Sequence, residues 1–470
     1  MIPETRTNIC YDNHVNHPIP SPVAEIIKRF VVAKYEIYIV GGAVRDILLK
    51  RAVNDWDFTT NATPDQIRAL FGDSFYDNEF GTVGVAGKYL GDAENPEEVY
   101  EITTFRSEGL YSDHRRPDQV VWGSSLDEDL QRRDFTINAM AIGIHDGAFH
   151  LYDPYEGKKD LEAKTIRAVG NPSERFGEDG LRMMRAIRFG AQLGFSIEIE
   201  TLNAIQAHAG ELHHISWERI RDEFLKILAS SYPEQGLQLL DSTGLLATIL
   251  PEFLDTRGVE QSRHHIYDVW THTIKAVQSC PSTDPIVRLS VLLHDIGKPQ
   301  TARLENTKEG KIWTFFNHEV VGARIAKRVA DRLRLSKREA QRVFTLVRWH
   351  MFVYDRHMTD AYIRRFIRRV GIENIPDMLA LREADRVGSG SNRTSWRLEE
   401  LKERVEGQLH QPFSIRDMVV DGEDVMRSLR IKAGPKIGQI LKTLFQEVLD
   451  DPSKNTREYL LGMIEKLGKK

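Results

Sequence analysis

A change of pattern near residue 170 constrains this chain more than any other feature. Before it, runs of β-branched and aromatic residues bounded by Gly, Asp or Pro recur at short intervals: 37–40, 55–59, 83–88, 99–105, 119–122, 139–142 and 165–169. Helical patterns lie between some of them, such as 64–71 with Thr63 placed as N-cap. From about Gly177 onward strands nearly vanish, and 199–208, 217–229, 323–335 and 437–449 carry apolar residues with helical period. The polar, Gly-punctuated segment 302–314 is expected to be a loop or hairpin inside the helical part. The pattern specifies an α+β chain, a mixed head followed by an all-α remainder. With 470 residues it exceeds one ordinary core. We expect the head at 23–170 and helical segments at 171–250, 251–400 and 401–470.

Composition narrows the function classes. Apolar residues make up 41% and charged residues 28%, as in a globular protein in water. The longest apolar runs, such as 37–40, are far too short to cross a bilayer, and residues 1–20 lack the apolar centre of a signal peptide. Two cysteines, Cys10 and Cys280, give no disulfide framework, so a cytoplasmic location is expected. A protein that coats nucleic acid non-specifically is usually basic, but the net charge of −5 does not by itself decide the matter. The arginines are clustered instead, as Arg115-Arg116, Arg132-Arg133 and Arg182, Arg185, Arg188, which suits local phosphate contacts.

The first chemical constellation follows the 37–40 run. Gly41-Gly42 at a strand-to-helix turn lets backbone N–H groups approach a phosphate, and Arg45 lies one turn further on. The turn is not a Walker loop, because the lysine and hydroxyl residue are missing. Ten residues after Arg45 come Asp55 and Asp57. On a strand they share one side, and two anions held that close call for a cation between them. Oxygen ligands beside a phosphate substrate select Mg2+. Glu101, on the 99–105 run, is a candidate third carboxylate.

These motifs resemble the opening of class II nucleotidyltransferases, the bacterial CCA-adding enzymes and poly(A) polymerases of the polymerase β superfamily. Later motifs agree in order. Residues 132–139 (RRDFTINA) match the ribose-recognition motif, in which Arg133 is near the nucleotide. Residues 153–161 (DPYEGKKDL) match the head-to-neck junction, 178–188 (EDGLRMMRAIR) the nucleotide-selecting helix, and 218–226 (ERIRDEFLK) the neck helix that braces it. The resemblance implies a polymerase β-like head, an elongated helical neck, body and tail, and nucleotidyl transfer with Mg2+. ATP, CTP and tRNA are its implied partners, with no membrane and no obligate protein partner.

A chemical reading of the 178–188 segment stands beside the resemblance. Cytosine and adenine present an amine donor beside a ring-nitrogen acceptor, whereas uracil and guanine present the reverse. A carboxylate next to a guanidinium fits the first pair. Asp179 and Arg182, at i and i+3, are expected to form that edge on one helix face. Arg185 and Arg188 drift off this face, which points to phosphate or supporting roles, although the family pattern counts them as nucleotide-binding. Residues 105–118 resemble the flexible loop that helps the switch from CTP to ATP.

The helical half carries a second set of ligands. His294-Asp295 in LLHDIGKP, preceded by His272 and followed by His318, His350 and Asp385, resembles an HD metal-dependent phosphohydrolase, placed within 251–400. Histidines and carboxylates from several helices suit a divalent transition metal. His272, His294, Asp295 and Asp385 form the expected site, with His318 and His350 available for a second ion. In the tail, Lys432 and Lys436 open a helix and are candidate contacts to tRNA phosphates. The leading expectation is CCA addition. An A-only or CC-only enzyme or a poly(A) polymerase remains open within the class, and an HD phosphatase or 2′,3′-cyclic phosphodiesterase outside it.

Overall fold

The structure, a computed structural model, describes residues 19–72, 75–77, 81–106, 125–145, 148–262, 266–307 and 310–468. The expected strand at 119–122 and nearly all of the 105–118 loop lie outside these residues. Two compact units are present, Met1–Ile249 and Leu250–Lys470.

The first unit is built on a seven-stranded sheet: β1 (Ile37–Val40), β2 (Asp57–Thr60), β3 (Phe75–Asp77), β4 (Thr82–Ala86), β5 (Val99–Thr104), β6 (Ala141–His145) and β7 (Ala148–Tyr152). Their spatial order is β3-β4-β5-β2-β1-β6-β7. Among the described residues of this sheet, β2 and β5 pair parallel and the other pairings are antiparallel, so the sheet is mixed. A central position explains why β1 reads as the unbroken apolar run IYIV, with Ile37, Ile39 and Val40 all buried. Val40 packs with Phe105, Leu126, Leu130, Ala141 and Tyr152 in a core that fixes β1 against β6 and β7. The expected helix at 64–71 forms as Pro64–Phe71, and Thr63 and Gln66 complete a reciprocal capping box. Such a cap contributes on the order of 1 kcal/mol.

Two expectations are corrected here. The strand read at 55–59 begins only at Asp57. Its neighbour β1, whose Val40 faces Asp57, turns away at Gly41, so nothing on that side pairs with Asp55. The segment 178–188 is not one helix. A helix Pro172–Glu178 ends with extended backbone at Asp179, and a second helix, Leu181–Leu193, starts after Gly180. Further along, helices Ile199–His208 and Trp217–Ala229 fall where the periodicity put them.

Among the described residues, the second unit is helical apart from the hairpin Arg303–Thr307/Gly310–Thr314, the element expected at 302–314. At its centre lies Pro285–Leu293 (PIVRLSVLL), apolar nearly all round and buried from Ile286 to Leu293. Ser290 is tolerated inside because its hydroxyl donates to the Ile286 carbonyl at 2.8 Å. Helices Val269–Ser279, His318–Arg332, Lys337–Trp349 and Ile375–Gly388 surround it. Residues 418–464 bury their own apolar cluster around Val425, Leu444, Phe445 and Leu460.

Candidate active site and a buried histidine–aspartate cluster

Gly41 sits at the hinge of the first site. Its φ of +69° is open to glycine at little cost, and a Cβ there would lie 3.0 Å from Arg133 Nη1 and 3.6 Å from Asp57 Oδ2. The glycine turn, Arg133 and Asp57 therefore converge. Asp57 stands in register with Val40 on β1 and with Glu101 on β5. Burial, then the charge of Asp55, pushes the Asp57 carboxyl up to about 6, with Arg133 opposing and Glu101 adding. Asp55 is exposed just ahead of β2. Three carboxylates thus crowd one region, Glu101 among them, and this is the crowding that an oxygen-bound divalent cation relieves.

Arg45 is engaged within the chain. Its Nε and Nη2 grip Asp46 at 3.0 Å each, and Nη1 donates to Asn138 Oδ1 at 3.0 Å. Asn138 Nδ2 reaches Asp134 at 3.3 Å, and Arg185 Nε donates to the other oxygen of Asp134 at 2.6 Å. This polar relay ties the helix that Gly42 opens, Gly42–Leu48, to the 181–193 helix. Asp134 is buried. Burial opposes its charge, but Arg185 outweighs it and holds the carboxyl below its usual range. Neither Asp134 nor Asn138 was singled out in sequence, although both stand inside RRDFTINA.

The groups expected to form a base-reading edge do not face each other on a helix. Asp179 accepts from its own Leu181 N–H at 3.0 Å and from Arg219 Nη2 at 2.6 Å. Arg182 Nη1 instead donates to Glu178 at 2.6 Å, and Nη2 to the Arg132 carbonyl at 3.4 Å. The reason is local: with Gly180 between the helices, Asp179 lies before the first turn and caps it. Arg188 is buried against Glu223 at 3.0 Å and lies over the Phe189 ring at 4.4 Å. Through Glu223 it contacts the 217–229 helix. Arg219 and Glu223 both belong to the ERIRDEFLK segment.

In the second unit, the end of the buried 285–293 helix delivers His294 and Asp295. His272 comes from 269–279, His318 from the start of 318–332, His350 from the end of 337–349 and Asp385 from 375–388. Gly388 lets the last helix approach the first, since a Cβ there would meet the His272 carbonyl at 2.6 Å. His272, His294 and Asp295 form one set of facing ligand atoms, and Asp295, His318 and His350 another. Asp385 joins the first set, 3.4 Å from His272 Nε2. All six expected residues thus come together, with Asp295 common to both sets.

The donor set fits divalent ions. His294, His318 and His350 each place Nδ1 within 2.6–2.8 Å of a backbone carbonyl three residues back. Those contacts commit the Nδ1 proton and leave Nε2 as the atom that could bind an ion. The Nε2 atoms of His272 and His294 face each other at 3.2 Å, as do those of His318 and His350. Burial disfavours charge on His294, but Asp295 and Asp385 overcome it and raise its pKa to about 10. Burial, with the neighbouring His294 and His318, lowers His350 to about 3. Lys432 and Lys436 are exposed at the start of the helix Pro435–Asp450.

A mixed sheet carrying a glycine turn, an arginine and clustered carboxylates defines a nucleotidyltransferase head. The chain matches the poly A polymerase head domain over 37–167, the probable RNA and SrmB-binding site of polymerase A over 194–256, and tRNA nucleotidyltransferase domain 2 over 304–464. It is 32% identical to the CCA-adding enzyme of Ligilactobacillus salivarius over 444 residues, covering 94% of this chain and 95% of that one. The CCA-adding enzyme of Geobacillus thermodenitrificans is 47% identical over 227 residues, 48% of this chain and 53% of the other. The crystal structure of the Bacillus stearothermophilus CCA-adding enzyme in complex with CTP superposes with a TM-score of 0.71 at 25% identity, covering 96% and 98% of the two chains. This chain belongs to the CCA-adding enzymes.

Proposed function

We propose that this protein adds CCA to the 3′ end of tRNA from CTP and ATP, without a nucleic-acid template and with release of pyrophosphate. The observation that carries the reading is the convergence of Gly41, Arg133 and the Asp55, Asp57 and Glu101 carboxylates. Asp55 and Asp57 would hold Mg2+, with Glu101 beside them. Bound there, divalent ions activate the attacking hydroxyl and stabilise the leaving group. Gly41 and Gly42 bring backbone close to the triphosphate, and Arg133 faces the same space. The Arg45–Asn138–Asp134–Arg185 relay keeps the turn and the 181–193 helix in fixed relation. Asp179 and Arg182 read the base, Lys432 and Lys436 contact tRNA phosphates, and the work is done in the cytoplasm. Among the described residues no helix is long and apolar enough to cross a membrane.

The test is incubation with tRNA lacking CCA, with CC-ended tRNA and with oligo(A), each with labelled CTP or ATP and Mg2+. Extension of both tRNAs but not oligo(A) is expected. Incorporation on oligo(A) alone would mean a poly(A) polymerase, and no incorporation on any acceptor would overturn the reading.

The buried ligand set supports a second reading, a metal-dependent phosphohydrolase of the HD type holding divalent transition metals on His272, His294, Asp295, His318, His350 and Asp385. Such ions supply an activated water. Metal analysis of the purified protein, with His294→Ala as control, tests it.

A further inference from the structure

A cavity of about 910 Å³ opens above the histidine–aspartate cluster. His294, Asp295, His318, His350 and Asp385 form its floor. Its walls are cationic. Lys298 is buried, with Nζ 2.6 Å from Asp295 and 2.6 Å from Gln261. Arg382 reaches Asp385 at 3.0 Å. These two cations are each matched by a cluster carboxylate.

Arg386 is different. It is half-buried, lines the same cavity, and donates through Nε and Nη2 to the carbonyls of Asn392 and Thr394 at 3.1 and 3.2 Å. Those bonds fix the guanidinium without neutralising it. A guanidinium has five N–H donors, and the remaining ones have no partner among the described residues. Arg397, exposed on the same wall and over the Trp396 ring at 5.2 Å, has no carboxylate partner among them either. Glu319 is the one further acid of the lining, 3.5 Å from Arg348.

The charge balance decides what fits. Lys298 and Arg382 offset Asp295 and Asp385, so Arg386 and Arg397 stand in excess of the cluster carboxylates, and any charge on the histidines or on a bound metal adds to that excess. A ligand carrying one negative charge compensates less of that excess than a dianion does. We propose that Arg386, supported by Arg397, makes this cavity selective for phosphate dianions, that is for terminal phosphomonoesters over diesters, cyclic ones included. Arg386 is thus the specificity-determining residue of the site. The proposal rests on the HD reading for its metals, but the anion wall is a separate set of residues.

The test is calorimetric titration of the full-length protein, with and without Mn2+, using inorganic phosphate as the dianion and dimethyl phosphate as a monoanion that is not turned over. Phosphate should bind at least tenfold more tightly than dimethyl phosphate in the Mn2+-loaded protein. Arg386→Ala should remove most of that preference, Arg386→Lys should restore part of it, and Arg397→Ala, at an exposed position, should reduce it less. CTP affinity and Mn2+ stoichiometry should stay unchanged in all three. Equal binding of the two phosphates by the wild type, or an unaltered preference in Arg386→Ala and Arg397→Ala alike, overturns the proposal. If Mn2+ fails to bind while Arg386→Ala still weakens phosphate binding, the metal reading falls and the anion wall stands.

Discussion

Asp179 accepts a 2.6 Å hydrogen bond from Arg219, forty residues further along the chain, while its other oxygen caps the 181–193 helix. The carboxylate proposed to read the base is therefore held from two sides, and Arg182 is held by Glu178. A base that presents an amine donor competes for the Asp179 oxygen that Arg219 occupies. A carbonyl in the same place meets a second acceptor and no compensation. Asp179→Ala is expected to relax base choice by roughly 10- to 100-fold, the value of a hydrogen bond to a charged group. Competition between CTP and UTP on a tRNA lacking CCA measures it. Unchanged discrimination with slowed transfer would assign Asp179 to positioning the helix.

That contact also marks where sequence reading stopped. Strand β1, the 64–71 helix with its Thr63 cap, and the helices at 199–208 and 217–229 were legible because local periodicity and caps determine them. The break at Asp179-Gly180 was legible in principle, since an Asp just before an apolar-periodic run is a helix-start signal. Reading 178–188 as a single motif obscured it. The Arg45–Asn138–Asp134–Arg185 relay was not legible at all. It spans 93 residues between its first two members and 51 between its last two, and no periodicity links them. The histidine–aspartate cluster was readable because its residues are few, chemically distinctive and needed in order.

The elevated pKa of Asp57, which we propose holds Mg2+, predicts a pH dependence of known sign for transfer. Mg2+ needs the ionised carboxylate, and in the metal-free protein that form is lost as pH falls through about 6. Apparent Mg2+ affinity should thus be flat above this value and fall about tenfold per unit below it, as a single-proton linkage requires. Raising Mg2+ should shift the midpoint of activity to lower pH. Titrating Mg2+ at several pH values checks this. A midpoint that ignores Mg2+ concentration would assign the titration to another group. Asp55→Ala should remove one source of the shift and also abolish transfer.

Arg188 and Glu223 form a buried pair at 3.0 Å, with side-chain exposures of 10% and 6%. Burial lowers the Arg188 pKa, and Glu223 opposes that shift. Glu223→Ala removes the carboxylate that pairs directly with a buried guanidinium, and the cost is about 3–5 kcal/mol. Replacing both residues by apolar ones of similar volume should cost far less, because neither charge is then stranded. Urea denaturation of the single and double variants distinguishes these cases. Equal losses would mean that the pair acts through packing alone.

Asp295 belongs to both ligand sets, whereas His272 belongs to one. Asp295→Ala should therefore strip metal from the whole cluster, and His272→Ala should spare the His318–His350 side. Metal content measured after dialysis reads the difference, and equal losses in the two variants would argue against a shared aspartate. The same variants address whether the two chemistries depend on one another. The residues proposed for transfer lie in the first compact unit and the cluster in the second. Incorporation of CMP and AMP into tRNA by Asp295→Ala should remain within about threefold of wild type, the range of surface-scale perturbations. Loss of incorporation in a variant that keeps its circular dichroism and melting temperature would show that the histidine–aspartate cluster supports tRNA binding or transfer from outside the head.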